Sequence, residues 1–244
     1  GMALGISLIF YLARKSGQSE DLYVDLILVT IVCSIIGARM YYVLFSWEDY
    51  RDNLAEIFHI RGGGLAIYGG VLAGILTIMI FAKRRKQNVW LLMDTVCPGL
   101  VVGQILGRWG NIFNREAFGG YSDGLLAMAL PKGAVRQGEV TVQMLQHLKV
   151  IDGVEFIQVH PTFLYESLWN LLLLFCLLTL WKHRKYNGQI AACYLAGYGL
   201  GRIWIESLRT DQLLIPVFGI PVSQIVSGIL ILFSVIFMIR KHRQ

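Results

Sequence analysis

The stretch that decides the fold class is residues 22–47, LYVDLILVTIVCSIIGARMYYVLFSW. It is almost wholly apolar, and a helix needs about 20 such residues to cross the hydrocarbon core of a bilayer. The whole chain has the same character, since 55% of its 244 residues are hydrophobic and 16% are charged. Soluble domains average roughly 45–50% and 25%. The sequence therefore predicts a membrane-spanning protein and excludes a disordered chain.

Six further segments show the same apolar character. They are residues 2–13, 65–82, 90–106, 162–181, 189–208 and 222–239. We predict an all-α integral membrane protein, a single polytopic domain over residues 1–244 with about seven transmembrane helices. Residues 2–13 are too short to cross the core at ~1.5 Å per residue, so we expect the natural chain to begin upstream of Gly1.

Basic residues follow every second apolar segment. They are Arg14, Lys15, Lys83, Arg84, Arg85, Lys86, Lys182, Arg184, Lys185, Arg240, Lys241 and Arg243. Because Lys and Arg accumulate on the cytoplasmic side of short loops, this alternation predicts a cytoplasmic C-terminus. The long connection 107–159 then faces outward. Its β-like runs 139–142 and 154–159 predict a small extracytoplasmic cap over residues 120–159, inserted between the fourth and fifth helices.

Composition also bears on partners and cofactors. The net charge of +6 would suit nucleic acid, but a nucleic-acid binder gathers its basic residues on one soluble face, so we predict no such partner. Cys33, Cys97, Cys176 and Cys193 lie in apolar stretches without metal-ligand spacing. We interpret them as small buried apolar residues, and propose no metal and no cofactor. The spaced glycines 70 and 74, and 197, 199 and 201, indicate close helix packing.

Several polar residues fall in the outer half of five different spans. They are Arg39, Tyr68, Arg108, Tyr165, Glu166, Arg202 and Glu206. A charge inside a span costs ~2.5–3.5 kcal/mol and usually marks function. The guanidinium fork suits phosphate, so the arginines indicate an anionic ligand in the outer leaflet. The alternative is that each arginine merely snorkels to the interface.

Residues 107–119, GRWGNIFNREAFG, concentrate chemistry at a helix end. Their glycines let the backbone approach a ligand closely, and Arg108, Asn111, Asn114 and Glu116 supply donors and acceptors. A capping loop is the structural alternative. His160 precedes Pro161 at the outer start of the fifth span. We interpret it as making a structural hydrogen bond at that boundary, with a catalytic role as the alternative.

This motif resembles the signature of the prolipoprotein diacylglyceryl transferases. Three other stretches match the family in order, namely GGLAIYGG at 63–70, HPTFLYE at 160–166 and YGLGRIWIE at 198–206. Tyr68 stands where many members have His, as in a Gram-positive-type variant. The resemblance implies an enzyme of the bacterial plasma membrane that transfers a diacylglyceryl group from phosphatidylglycerol to the lipobox cysteine of a preprolipoprotein signal peptide, forming a thioether and releasing glycerol 1-phosphate.

The resemblance also implies residue roles. The implied catalytic residues are Arg108, Arg202, Tyr68, Glu206 and Asn111. The predicted substrate-binding residues are Arg108, Arg202, Glu116, Gly119, Asn114, Tyr198 and Arg39, of which Arg39 is predicted from its depth in the span and not from the resemblance. The general base stays open, because a phenol with a pKa of ~10 is a weak base; Glu206, Glu116 or water could take the thiol proton instead.

Two other functions use similar residues. An anion or lipid transporter would employ the same arginines, but the chain lacks paired repeats with broken helices, and its polar residues crowd one leaflet. An intramembrane protease needs a Ser with His, or two membrane-embedded Asp residues, and neither arrangement is evident in the sequence.

Overall fold

The computed structural model describes residues 1–215 and 218–242, and most of them are helical. The helices are α1 Met2–Lys15, α2 Glu20–Phe45, α3 Trp47–Tyr50, α4 Ile67–Arg84, α5 Val89–Gly107, α6 Trp109–Asn114, α7 Val142–Gln146, α8 Thr162–Trp181, α9 Gln189–Glu206 and α10 Val222–His242. The strands are β1 Met128–Pro131, β2 Lys149–Ile151 and β3 Val154–Val159. Every apolar segment predicted to cross the membrane is a helix. Arg243, part of the predicted basic C-terminal end, lies outside the described residues.

Within the described residues, five helical stretches are long and apolar enough to cross a membrane. They are α2, α4, α5 continued by α6, α8 and α10. The helix α1 has only 14 residues, and α9 carries Arg202 and Glu206 among its 18. The predicted helical membrane architecture is therefore confirmed, whereas these criteria support five spans and not the predicted seven.

The chain divides into two compact units, residues 9–95 and residues 1–8 with 96–244. In the first, which we call the α2–α4 unit, those two helices pack along each other. Their backbones meet at Gly37 and Gly69, because a Cβ built on either glycine would collide with the other's carbonyl. The predicted contact through Gly70 and Gly74 is looser, with the nearest atoms 3.4 and 3.0 Å from a built Cβ.

In the second unit, α9 packs against both α8 and α10. Three glycines of α9 make this possible. A Cβ on Gly201 would run into the ring of Trp169 in α8, whereas one on Gly199 would lie 3.0 Å from the Ser227 carbonyl in α10. Gly197 makes room for Leu173 of α8. The predicted packing role of these glycines agrees with the structure.

The region between α6 and α8 carries a small antiparallel sheet in the order β1-β3-β2. Its apolar core consists of Phe118, Leu130, Val135, Met144, Ile157 and Val159. The predicted strand at 154–159 is β3, but the predicted β-like run at 139–142 is wrong. Residues 137–139 form a 3₁₀ turn, and Thr141 caps α7 by accepting a hydrogen bond from the Met144 amide at 3.4 Å. An N-cap residue has extended dihedrals, which is why this run resembles a strand in sequence.

The interpretation of all four cysteines as buried residues is wrong for three of them. None of the four forms a disulfide, but only Cys97 is buried, and Cys176 on α8 is exposed. An apolar side chain on a membrane helix can lie on a face that no neighbouring helix covers. Periodicity in a uniformly apolar segment does not distinguish that face from the packed one.

Candidate functional site

Arg108 is held at the junction of α5 and α6 against the first turns of α8. The indole of Trp109 donates to Ser167 Oγ at 3.2 Å, and that hydroxyl donates to the Ile105 carbonyl, also at 3.2 Å. The rings of Trp109 and Phe163 meet edge to face with centroids 5.4 Å apart. These contacts fix the start of α6, and so the direction in which Arg108 leaves the backbone.

The carboxylate of Glu166 is the meeting point of three arginines. Arg108 Nε contacts its Oε2, and Arg202 Nη1 donates to its Oε1 at 2.7 Å. Arg209 Nη1 lies 3.7 Å from Oε1. The Glu166 side chain is only 6% exposed. The structure thus brings together, on one buried carboxylate, two of the three arginines that the sequence singled out, Arg108 and Arg202.

Two further carboxylates complete this arginine cluster, defined as Arg108, Arg202, Arg209, Glu166, Glu206 and Asp211. Arg202 also donates to Glu206, one helical turn away. Arg209 makes a two-pronged contact with Asp211 at 2.8 and 2.6 Å. Burial alone would raise the pKa of Asp211, but the hydrogen bonds and positive charge of Arg209, together with a backbone hydrogen bond and the charge of Arg202, outweigh burial and hold the pKa below its ordinary value. The formal charges of the cluster sum to zero.

The cluster is open on one side. The side chain of Arg108 is 23% exposed, against 15% for Arg202 and 12% for Arg209. A small cleft of about 10 Å³ adjoins it, lined by Glu166, Trp169, Asn170, Tyr198, Arg202 and Ile205. Tyr198, predicted to bind substrate, therefore faces the same cleft as Arg202. An anion that approaches the cluster from solvent or lipid meets Arg108 as its most accessible cation.

The end of the 107–119 motif lies between the start of α8 and the end of α9 and is hydrogen-bonded to the chain at both places. The amide of Gly119 donates to the His160 carbonyl at 3.0 Å, and that of Gly120 donates to the Leu208 carbonyl at 2.8 Å. A Cβ on Gly119 would lie 2.7 Å from His160 Cβ and 2.8 Å from the Leu208 oxygen. Only glycine fits here without displacement. This close approach is the structural basis for Gly119 at a position predicted to be functional.

Asn111, Asn114 and Glu116 lie on one tight turn. Asn114 Nδ2 donates to Glu116 Oε1 at 3.0 Å, and the Glu116 amide donates to the Asn111 carbonyl, also at 3.0 Å. Arg115 ends α6 in the left-handed region with φ 54°. Arg136 Nη2 lies 3.7 Å from the second Glu116 oxygen. The Glu116 side chain stays 34% exposed and is accessible to a proton donor.

The histidine before α8 has a structural position. His160 Nδ1 lies 3.2 Å from the Tyr165 hydroxyl, and its main chain bonds to Gly119 and Gly120. The boundary hydrogen bond proposed from the sequence is therefore present. In the part of the chain that the structure describes, no group of three or more His, Cys, Asp or Glu side chains has the arrangement of a metal site.

The remaining predicted site residues, Arg39 and Tyr68, belong to the α2–α4 unit. Tyr68 lies in the first turn of α4. Arg39 is buried in α2 at 7% exposure, and its guanidinium bonds to backbone carbonyls of the following loop.

Sequence reasoning gave no role to three members of the arginine cluster. Glu166 is noted for its depth only, although a carboxylate within a span requires a partner. Arg209 and Asp211 follow α9 and are given no role, yet Arg209 is three residues from Glu206, a spacing that would place both on one face if the helix continued. Requiring a basic partner for each acidic residue at that depth would have made Glu166 and Arg209 candidates, without showing which groups meet.

The long apolar helices and the arginine cluster define the class: a polytopic membrane protein whose site suits an anionic group. The chain belongs to the prolipoprotein diacylglyceryl transferase family, whose model matches residues 1–240. It is 40% identical over 247 residues to the phosphatidylglycerol--prolipoprotein diacylglyceryl transferase of Clostridium botulinum (strain Langeland), covering 100% of this chain and 91% of that relative. The enzyme of that name from Bacillus cereus (strain G9842) is 38% identical over 249 residues, covering 100% of this chain and 85% of the relative. The predicted family and enzyme class are confirmed.

Proposed function

We propose that this chain transfers the diacylglyceryl group of phosphatidylglycerol to the lipobox cysteine thiol of bacterial preprolipoproteins, the first step of lipoprotein maturation. The observation that carries the proposal is the convergence of Arg108 and Arg202, from different helices, on the single carboxylate of Glu166. Two guanidinium groups that reach one anionic group can also reach one phosphate.

The reaction requires charge stabilisation on a leaving phosphate. The cysteine sulfur attacks the glyceryl carbon that carries the phosphate ester; a C–S bond forms, and the C–O bond breaks with its electrons on the phosphate oxygen. Glycerol 1-phosphate leaves with the added negative charge. Arg108 and Arg202 stabilise that charge, and the effect is strongest where water is scarce. The two side chains are 23% and 15% exposed, so water has limited access.

The thiol must lose its proton, because a free cysteine with a pKa of ~8.5 is mostly protonated at neutral pH. The candidate bases are Tyr68, Glu206 and Glu116. Glu206 is buried and bonded to Arg202, whereas Glu116 is partly exposed, is bonded to the neutral Asn114 and has Arg136 only at 3.7 Å. Accessibility favours Glu116 over Glu206 as the group that meets an incoming thiol.

The other predicted residues shape the site. Tyr198 lines the cleft beside Arg202, and Gly119 allows the 107–119 motif to approach the ends of α8 and α9. Asn111 and Asn114 hold the turn that presents Glu116. In this proposal these residues shape the surface on which the lipid and the peptide meet the arginine cluster.

We further propose the arrangement in the bacterial plasma membrane. Seven helices cross it, with α1 and α9 joining the five long apolar ones, and the C-terminus is cytoplasmic. Support comes from basic residues that end α1, α4 and α10, the ends that face the cytoplasm in this topology. The cap, residues 120–159, then lies outside with the arginine cluster toward the outer leaflet, where a secreted peptide meets the lipid.

Reconstitution tests the function directly. The purified chain is placed in vesicles containing phosphatidylglycerol, and a lipobox peptide is followed by mass spectrometry. We expect the peptide to gain one diacylglyceryl group through a thioether while glycerol 1-phosphate appears in equal amount. Vesicles of phosphatidylethanolamine alone and a peptide with Ser for the lipobox Cys are the controls. Lipid movement without a covalent product would contradict the proposal and favour a transporter.

A further inference from the structure

Arg39 in α2 directs all of its side-chain hydrogen-bond donors to one loop. Its Nε donates to the Ile57 carbonyl at 2.8 Å, and Nη1 donates to the carbonyls of Gly63 and Gly64 at 3.1 and 2.9 Å. Nη2 donates to those of Glu56 and His59 at 2.6 and 3.2 Å. A guanidinium has five N–H donors, and all five nitrogen-bound hydrogens thus have an acceptor. No donor remains for a phosphate.

The loop that Arg39 holds, residues 54–64, has little packing of its own. Leu54 is 56% exposed, Phe58 84% and Ile60 44%. Its regular structure is limited to two short 3₁₀ turns. A segment without buried apolar side chains is easily displaced, so the hydrogen bonds from Arg39, with Tyr50 packed over its guanidinium at 5.1 Å, are the main contacts that fix it.

The end of this loop sets the start of α4. Gly63 and Gly64 have φ of 96° and 74°, which suits glycine. A Cβ on Gly64 would collide with Arg39 Nη1 and lie 3.1 Å from the Tyr42 ring. Two residues later the Ala66 amide donates to the Ala38 carbonyl of α2 at 3.1 Å, and α4 begins at Ile67.

We infer that Arg39 is a positioning residue, which fixes the loop and the first turn of α4 and thereby the place of Tyr68, instead of binding lipid as the sequence predicts. The inference rests on the proposed function, because Tyr68 is a candidate base or lipid ligand there. Tyr68 is the second residue of α4, so a displacement of the loop end moves it directly. A shift of about 1 Å at a reacting group can cost up to ~100-fold in rate.

Two substitutions of Arg39 separate positioning from phosphate binding. Arg39→Lys keeps the charge but has one nitrogen, which cannot span carbonyls on both sides of the loop; Arg39→Gln removes the charge as well. If Arg39 positions the loop, both variants lose kcat by a similar factor, about tenfold or more, and the KM for phosphatidylglycerol changes little. If it binds phosphate, Lys retains most of the activity that Gln loses, and the KM of Gln rises. That second outcome would overturn the inference.

Hydrogen–deuterium exchange of residues 53–66 in the wild type and the variants provides a second test, which does not depend on enzyme activity. We expect faster exchange there in both Arg39 variants and in Gly64→Ala, which disturbs the loop while the arginine stays. Arg85→Lys, at an exposed pair with Asp25, is the matched control and should alter neither exchange nor kcat. Unchanged exchange in the Arg39 variants contradicts the inference. If the wild-type chain transfers no lipid, the proposed function fails, while the exchange result still decides whether Arg39 holds the loop.

Discussion

The arginine cluster and the Arg39 loop use the same side chain in opposite ways. In the cluster, Arg108, Arg202 and Arg209 meet carboxylates, and one anion can exchange for another. Arg39 meets backbone carbonyls, which are fixed in the chain and carry no net charge. A buried carboxylate shared by several arginines therefore distinguishes the cluster, where a phosphate can take the place of an anion, whereas the full set of carbonyls marks Arg39 as a structural anchor.

The largest expected effect is in the cluster. Arg108→Ala or Arg202→Ala should reduce transfer in phosphatidylglycerol vesicles by ~10²–10³-fold or more, because each removes a charge-stabilising donor from the leaving phosphate. Product formation by the lipobox peptide assay measures this. Arg51→Ala, at an exposed arginine paired with Glu48, is the control and should remain active. Unchanged transfer by Arg108→Ala would remove the central assignment.

Glu166→Gln tests whether the shared carboxylate positions the two arginines. The amide keeps the shape but loses the charge, so the arginines are less firmly placed while the phosphate no longer competes with a carboxylate. We expect kcat to fall about tenfold, without a rise in the KM for phosphatidylglycerol. Initial rates against lipid mole fraction separate the two constants.

The control for that variant is Glu155→Gln, in β3 at an exposed pair with Lys132, which should behave as wild type. A raised KM with kcat unchanged would mean that Glu166 contacts the substrate itself, and the positioning role would be wrong.

Much of the fold follows from the sequence, whereas the connections within the site do not. A uniformly apolar segment predicts its own helix, and all such segments are helical here. The depth of Arg108 and Arg202 predicts that they share a ligand environment. The sequence cannot show that Glu166 joins them, or that Arg39 turns toward a loop, because both depend on the rotation of a helix about its axis. In a helix that is apolar all round, no hydrophobic face defines that rotation.

Gly201→Ala tests the helix packing beside the arginine cluster, as Gly64→Ala tests the loop that Arg39 holds. The added methyl would push the Trp169 ring, which also lines the cleft beside Arg202. We expect a loss of about 1–3 kcal/mol in stability, as for other overpacked contacts, seen as a lower melting temperature in detergent. Gly228→Ala in α10, where a Cβ meets nothing within 4 Å, should be neutral or slightly stabilising. Equal melting temperatures for the two variants would contradict this account of α8–α9 packing.

The smallest effect concerns a carboxylate with little arginine support. Burial, and next the charge of Asp211, raise the pKa of Glu139 despite Arg136, and its Oε2 has no partner among the described residues. A raised folded-state pKa means that the ionised form destabilises the fold at pH above it. Glu139→Gln should therefore stabilise the protein at pH 8 by less than about 2 kcal/mol. The gain should shrink as the pH falls through the folded-state pKa, and a gain that grows on acidification would contradict the assignment.

The central claim is that Arg108 and Arg202 act on one phosphate. The most direct test is a double-mutant cycle in kcat/KM for phosphatidylglycerol with Arg108→Lys, Arg202→Lys and the double variant, since lysine leaves a measurable rate. Residues that share a partner couple strongly, so the double variant should lose little more than the worse single variant. Losses that multiply, as for two independent sites, would contradict the claim.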